Sequence, residues 1–101
     1  MTEEGKIKKQ IREYLATIPG CAVFPIALGK IPGRNNSVMR KGTPDIICCH
    51  WGRFIAIEVK SKKGKQRLEQ SQIEHEIKVW SHGVYILARS VEDVIHAIPQ
   101  E

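Results

Sequence analysis

Between Glu3 and Ala16 apolar residues recur at three- and four-residue steps, with Ile7, Ile11, Tyr14 and Leu15, then Ile18, set against Lys, Arg and Glu. This spacing predicts an amphipathic helix with Thr2 as N-cap and Pro19-Gly20 as its end. Cys21 to Leu28 reads as a strand interrupted at Pro25, a residue confined to sheet edges and bulges. Ile46-Ile-Cys-Cys49 and Phe54-Ile-Ala-Ile-Glu-Val59 are β-branched and apolar enough to be two further strands, joined by a short turn over His50-Trp51-Gly52-Arg53. Gly64 breaks the chain, and Gln66 to Ser81 predicts a second helix with Leu68, Ile73, Ile77 and Trp80 as its buried stripe. His82-Gly83 closes that helix, and Val84 to Ala88 is a short apolar strand. Ser90-Val-Glu-Asp93 opens a last helix in a capping-box-like pattern, turning Val91, Val94, Ile95 and Ile98 inward until Pro99.

The expected order is helix, strand, strand, strand, helix, strand, helix. The third strand, second helix and fourth strand make a β-α-β unit, whose strands should be parallel. The fold class is therefore α/β, a mixed sheet with helices on its faces. At 101 residues the chain has enough material for one core, and we expect one domain over 1–101.

The hairpin register brings chemistry into view. If the hairpin turns about Trp51 and Gly52, Cys49 faces Phe54 and Asp45 falls across from Glu58. Directly opposed residues have Cβ atoms about 4.5–5.5 Å apart, close enough for both carboxylates to reach one cation. Alternation puts Lys60 on the face of Glu58, with Ile55, Ile57 and Val59 on the other. Two close carboxylates repel, and each costs free energy to desolvate. A divalent, oxygen-preferring ion such as Mg²⁺ resolves that conflict and can bridge to a phosphate. The alternative is an exposed Asp at a strand end and a Glu–Lys pair on a solvated face.

Charge strengthens the first reading. The formal net charge is +5, and basic residues bracket the two acids: Arg34, Arg40 and Lys41 before them, Lys60, Lys62, Lys63, Lys65 and Arg67 after. A phosphate backbone would have to lie there, so DNA is the expected partner. Gly29 to Lys41 reads as a polar loop long enough to suggest a DNA-contacting or lid segment. Neither Lys30 nor Lys65 stands in a phosphate-binding G-x-x-x-x-G-K-[ST] motif, so no nucleotide cofactor is expected. Three cysteines, two of them adjacent, argue against a disulfide framework. No apolar run approaches the ~20 residues that span a bilayer, and Met-Thr-Glu-Glu is unlike a signal peptide, so an intracellular protein with no membrane contact is expected.

Pro44-Asp45 followed by Glu58-Val59-Lys60 resembles the motif of the PD-(D/E)XK nuclease superfamily. Together with Gly42-Thr-Pro-Asp45, Ile57-Glu-Val-Lys-Ser61, Gln72 and Gly83-Val-Tyr-Ile-Leu-Ala-Arg-Ser-Val-Glu-Asp93, it resembles the VRR-NUC family over nearly the whole chain. The resemblance implies a restriction-endonuclease-like core and a stand-alone nuclease of the sort carried by phages and bacteria, acting in the cytoplasm. It implies a metal set of Asp45, Glu58 and Val59 holding Mg²⁺ or Mn²⁺, with Lys60 orienting or activating water, Gln72 beside the site and Glu4 supporting it from the first helix. As a first-turn acid, Glu4 would otherwise simply complement the helix dipole. Beside the anionic phosphate, Lys60 would act as an electrostatic stabiliser more than as a base. Stand-alone members further imply a homodimer that resolves branched DNA such as Holliday junctions in replication, repair or recombination. A non-catalytic DNA-binding module is the rival, in which the basic bracket binds phosphates and the acids are incidental.

Overall fold

A computed structural model describes residues 2–26 and 40–98. Arg34, Leu28, Pro99 and most of the Gly29–Lys41 segment therefore lie outside the described residues.

Helix α1 spans Glu3–Leu15, and the Thr2 hydroxyl caps it by accepting the Gly5 N–H at 3.0 Å. Its Ile7, Ile11 and Leu15 are buried, as the three- and four-residue spacing requires. Strands β1 (Cys21–Pro25), β2 (Ile46–His50), β3 (Arg53–Val59) and β4 (Val84–Ala88) form one sheet in the order β1-β2-β3-β4. β1–β2 and β2–β3 are antiparallel and β3–β4 is parallel. The sheet is mixed, and β1, which ends on Pro25, is an edge strand.

The β2–β3 register matches the expected one, with Cys49 opposite Phe54 and Ile46 opposite Ile57. A tight turn sets it: Trp51 and Gly52 both have positive φ, 52° and 81°, the backbone handedness that suits twisted antiparallel strands.

Alternation then divides β3 between two layers. Ile55, Ile57 and Val59 join Ile46, Cys48, Ile86 and Ala88 in a core closed by α1, by Val94 of helix α3 (Val91–Ala97) and by Ile98 just past its end. Ala56 and Tyr85 face the other way, against Ile73 and Ile77. Ile95 of α3, expected inward, is 37% exposed. The three cysteines are free.

The second helix departs most from expectation. Helix α2 covers Leu68–His75 and continues as a π-helical segment, Glu76–Trp80, closed by the Ser81 N–H on the Glu76 carbonyl. Leu68 and Trp80, expected in the stripe, are 72% and 71% exposed. Leu68 stands five positions before Ile73, a separation that places it on a different helical face. Trp80 is turned outward because the wider i→i+5 turn advances each residue by less than an α-turn does. The inward stripe is Gln70, Ile73 and Ile77.

Candidate functional site

Asp45 closes a short strap, Arg40–Pro44, that leads into β2. Gly42 in this strap has φ 90°, and a Cβ there would lie 2.7 Å from the Glu69 backbone, so the strap rests directly on α2. Arg40 grips Glu76 through two hydrogen bonds, of 2.7 and 2.5 Å, and Lys41 pairs with Glu69 at 3.1 Å. The first pairing holds the Arg40 guanidinium above its usual pKa and the Glu76 carboxyl below its own, while Glu69 is held low first by a hydrogen bond from its own backbone and then by Lys41. Two cations expected to bracket the site for DNA thus clasp the strap to α2. Lys62, Lys63, Lys65 and Arg67, on the segment that follows β3, are exposed.

The strap delivers the Asp45 carboxylate beside β3, where its Oδ2 accepts the Val59 N–H at 2.8 Å. Its Oδ1 faces the Lys8 ammonium of α1 at 3.2 Å. Glu58 comes from the opposing strand and is only 4% exposed. Its Oε2 accepts a 2.9 Å hydrogen bond from Gln70 Nε2 and lies 3.9 Å from Lys60 Nζ. Its Oε1 is buried with no hydrogen-bond partner among the described residues. Burial, and then the neighbouring Asp45 charge, push the Glu58 carboxyl up to about 8, against the opposing pull of Lys60 and Lys8.

The turn after Lys60 is pinned from two sides. Glu4 and Glu3 of α1 accept the Ser61 and Lys62 N–H groups, each at 3.4 Å. The Arg89 guanidinium donates to the carbonyls of Ser61, Lys62 and Gly64 at 2.6, 3.3 and 2.7 Å. Glu4 therefore supports the segment next to Lys60 through its main chain. The Val59 side chain is in the core, so Val59 reaches the acids only through its main chain, and its N–H is the donor to Asp45.

Gln72 requires correction. It is exposed, on the α2 face that carries Ser71, His75, Glu76 and Trp80, while Gln70 meets Glu58. The physical reason is helical phase: residue 70 lies three before buried Ile73 and shares its face, whereas residue 72 is rotated off it. The Gln70 amide is oriented from both ends, because its Oε1 accepts the Arg67 N–H at 2.7 Å.

An acidic pair with a partnerless buried oxygen suits a cation. Among the described residues no three His, Cys, Asp or Glu side chains gather into a ligand set. The donor set therefore fits an ion that keeps most of its waters and takes one or two carboxylates, which describes Mg²⁺ and its oxygen-seeking relatives.

No family model matches this chain, and no curated protein does. A solved structure described as a VRR_NUC domain matches it with a TM-score of 0.71, covering 98% of this chain and 100% of that one at 22% identity. The chain has the VRR-NUC fold. Within this VRR-NUC architecture, the acids stand where strap, hairpin and α1 converge. Reading the sequence alone misses three residues here: Lys8, Gln70 and Arg89. Lys8 had a faint signal, four positions after Glu4 and so on the same side of α1. Gln70 had one in its spacing from Ile73. Arg89 had none. Among the described residues no helix is long and apolar enough to cross a membrane.

Proposed function

We propose that this chain is a single-domain, metal-dependent nuclease that hydrolyses phosphodiester bonds in DNA. The observation that carries the reading is the Asp45–Glu58 pair: two neighbouring acids, one of them buried with an oxygen left unpartnered among the described residues. Stability alone disfavours such a pair, and the VRR-NUC fold supports nuclease chemistry for it.

Asp45 and Glu58 would hold Mg²⁺ or Mn²⁺, with Val59 contributing through its main chain. That ion would lower the pKa of a bound water, polarise the scissile phosphate and offset charge as it develops. The protein's own groups then have separate tasks. The Val59 N–H fixes which Asp45 oxygen faces the site, and Gln70 fixes Glu58. Lys60, on the same face as Glu58 and with its N–H held by the Ala88 carbonyl at 2.9 Å, presents its ammonium to the anionic phosphate. Water oxygen attacks phosphorus as the bond to the leaving oxygen breaks; one proton of the water ends on the leaving oxygen and the other is released to solvent, so the products are a hydroxyl and a phosphate monoester. Lys62, Lys63, Lys65 and Arg67 supply backbone contacts to the DNA.

We further read the substrate as branched DNA, four-way junctions included, and the working unit as a two-fold pair of chains, since each chain carries one acidic pair. The setting is the cytoplasm of a bacterium or phage-infected cell. The test is incubation of supercoiled plasmid and of linear, flapped and four-way DNA with Mg²⁺ or Mn²⁺. Metal-dependent cutting that disappears in Asp45→Ala and Glu58→Ala, both still folded, is expected. Binding without cutting, whatever the metal or substrate, would instead favour a DNA-binding module.

A further inference from the structure

The two oxygens of Asp45 have different obligations. Oδ2 is held by the Val59 N–H, so Oδ1 is the one turned to a cation, and the Lys8 ammonium is already there at 3.2 Å. Lys8 belongs to a different layer from the strands that carry the acids. It extends from α1, whose Ile7 and Ile11 are sunk in the core, so the helix that positions it is fixed. Its side chain is 31% exposed, against 8% for the Asp45 side chain it touches. Lys60 is placed differently, 3.9 Å from Glu58 and with its side chain 12% exposed.

We propose, on the reading of Asp45 and Glu58 as metal ligands, that Lys8 is a tethered placeholder cation that occupies Asp45 Oδ1 in the metal-free protein and is displaced when a divalent ion binds. An ammonium and a divalent ion repel at a shared oxygen, strongly where the surroundings are half-buried. The lysine stem is flexible and its head strongly hydrated, so the partly exposed Lys8 can leave toward solvent. Before metal arrives, the same ammonium neutralises an acid that has no other ion-pair partner among the described residues and that faces Glu58. Lys8 is thus a positioning residue that sets how readily the site takes up metal.

The experiment measures Mn²⁺ affinity of the DNA-free protein by electron paramagnetic resonance for wild type, Lys8→Met, Lys8→Gln, Lys8→Arg and Lys9→Met. Lys8→Met and Lys8→Gln should each bind Mn²⁺ about tenfold more tightly, for a lost repulsion of about 1.4 kcal/mol. Lys8→Gln keeps a hydrogen-bond donor and covers the case in which Lys8→Met fails to fold. Lys8→Arg keeps the charge and should stay near wild type, as should Lys9→Met, which removes a charge from an exposed position of the same helix. Unchanged or weaker Mn²⁺ binding in folded Lys8→Gln overturns the placeholder role while leaving the metal site intact. If wild type binds no Mn²⁺ and Lys8→Gln does, the placeholder role stands in its strongest form. If neither binds, the metal reading and this proposal fall together.

Discussion

Gln70 Nε2 donates to Glu58 Oε2 at 2.9 Å, while the other oxygen of the same buried carboxylate has no hydrogen-bond partner among the described residues. The helix amide therefore decides which Glu58 oxygen is left for a cation. Outer partners of this kind typically matter by roughly 10- to 100-fold in metal affinity or activity. Gln70→Leu should lower metal-dependent cleavage by that amount, whereas Gln72→Ala should change it less than about twofold. Initial rates on a nicked-plasmid assay with varied Mg²⁺ separate the two, and an equal loss in both variants would remove Gln70 from its assigned place.

Glu58 also makes the stability of the metal-free protein depend on pH. Its carboxyl is raised from 4.5 to about 8 in the folded chain, first by burial and then by Asp45. Between those values the folded protein keeps a proton that the unfolded chain has released, so stability falls as pH rises through the window and levels off above it. In EDTA, the melting temperature should decline from pH 5 to pH 8.5, and Glu58→Gln should flatten most of that decline. Saturating Mg²⁺ favours the ionised carboxylate, so the metal-induced rise in melting temperature should grow over the same range.

The strap that carries Asp45 depends on Gly42. Its φ of 90° is strained for any other residue, and an added Cβ would meet the Glu69 backbone at 2.7 Å. Gly42→Ala should cost about 2 kcal/mol, equivalent to a melting temperature lower by roughly 10 °C for a domain of this size. Cleavage should fall further than stability alone explains, because the strap would lift away from α2 and take Asp45 with it. Calorimetry and cleavage at a temperature where the variant is fully folded check both parts.

The hairpin was legible in the sequence because two local signals agree: β-branched alternation on both sides, and a Trp51-Gly52 turn that fixes which residues face each other. That register alone brings Asp45 beside Glu58. The inward face of α2 was legible only in part: Ile73 and Ile77 lie where their spacing puts them, but the first buried residue is Gln70, which hydropathy scores as a surface residue, and a π-turn rotates Trp80 outward. The contacts of Lys8 with Asp45 and of Arg89 with the turn after Lys60 join segments distant in sequence, and periodicity carries no information about such pairings. The basic bracket was visible as charge, but that Arg40 and Lys41 would be spent on Glu76 and Glu69 followed only from where α2 packs.

If Asp45 and Glu58 together grip one divalent ion, anomalous diffraction from crystals grown with Mn²⁺ will locate it. A single strong peak is expected between Asp45 Oδ1 and the Glu58 carboxylate, about 2.0–2.3 Å from an oxygen of each, and should be lost in Asp45→Ala. A fully occupied Mn²⁺ elsewhere on the protein, with no density between these two acids, would contradict it.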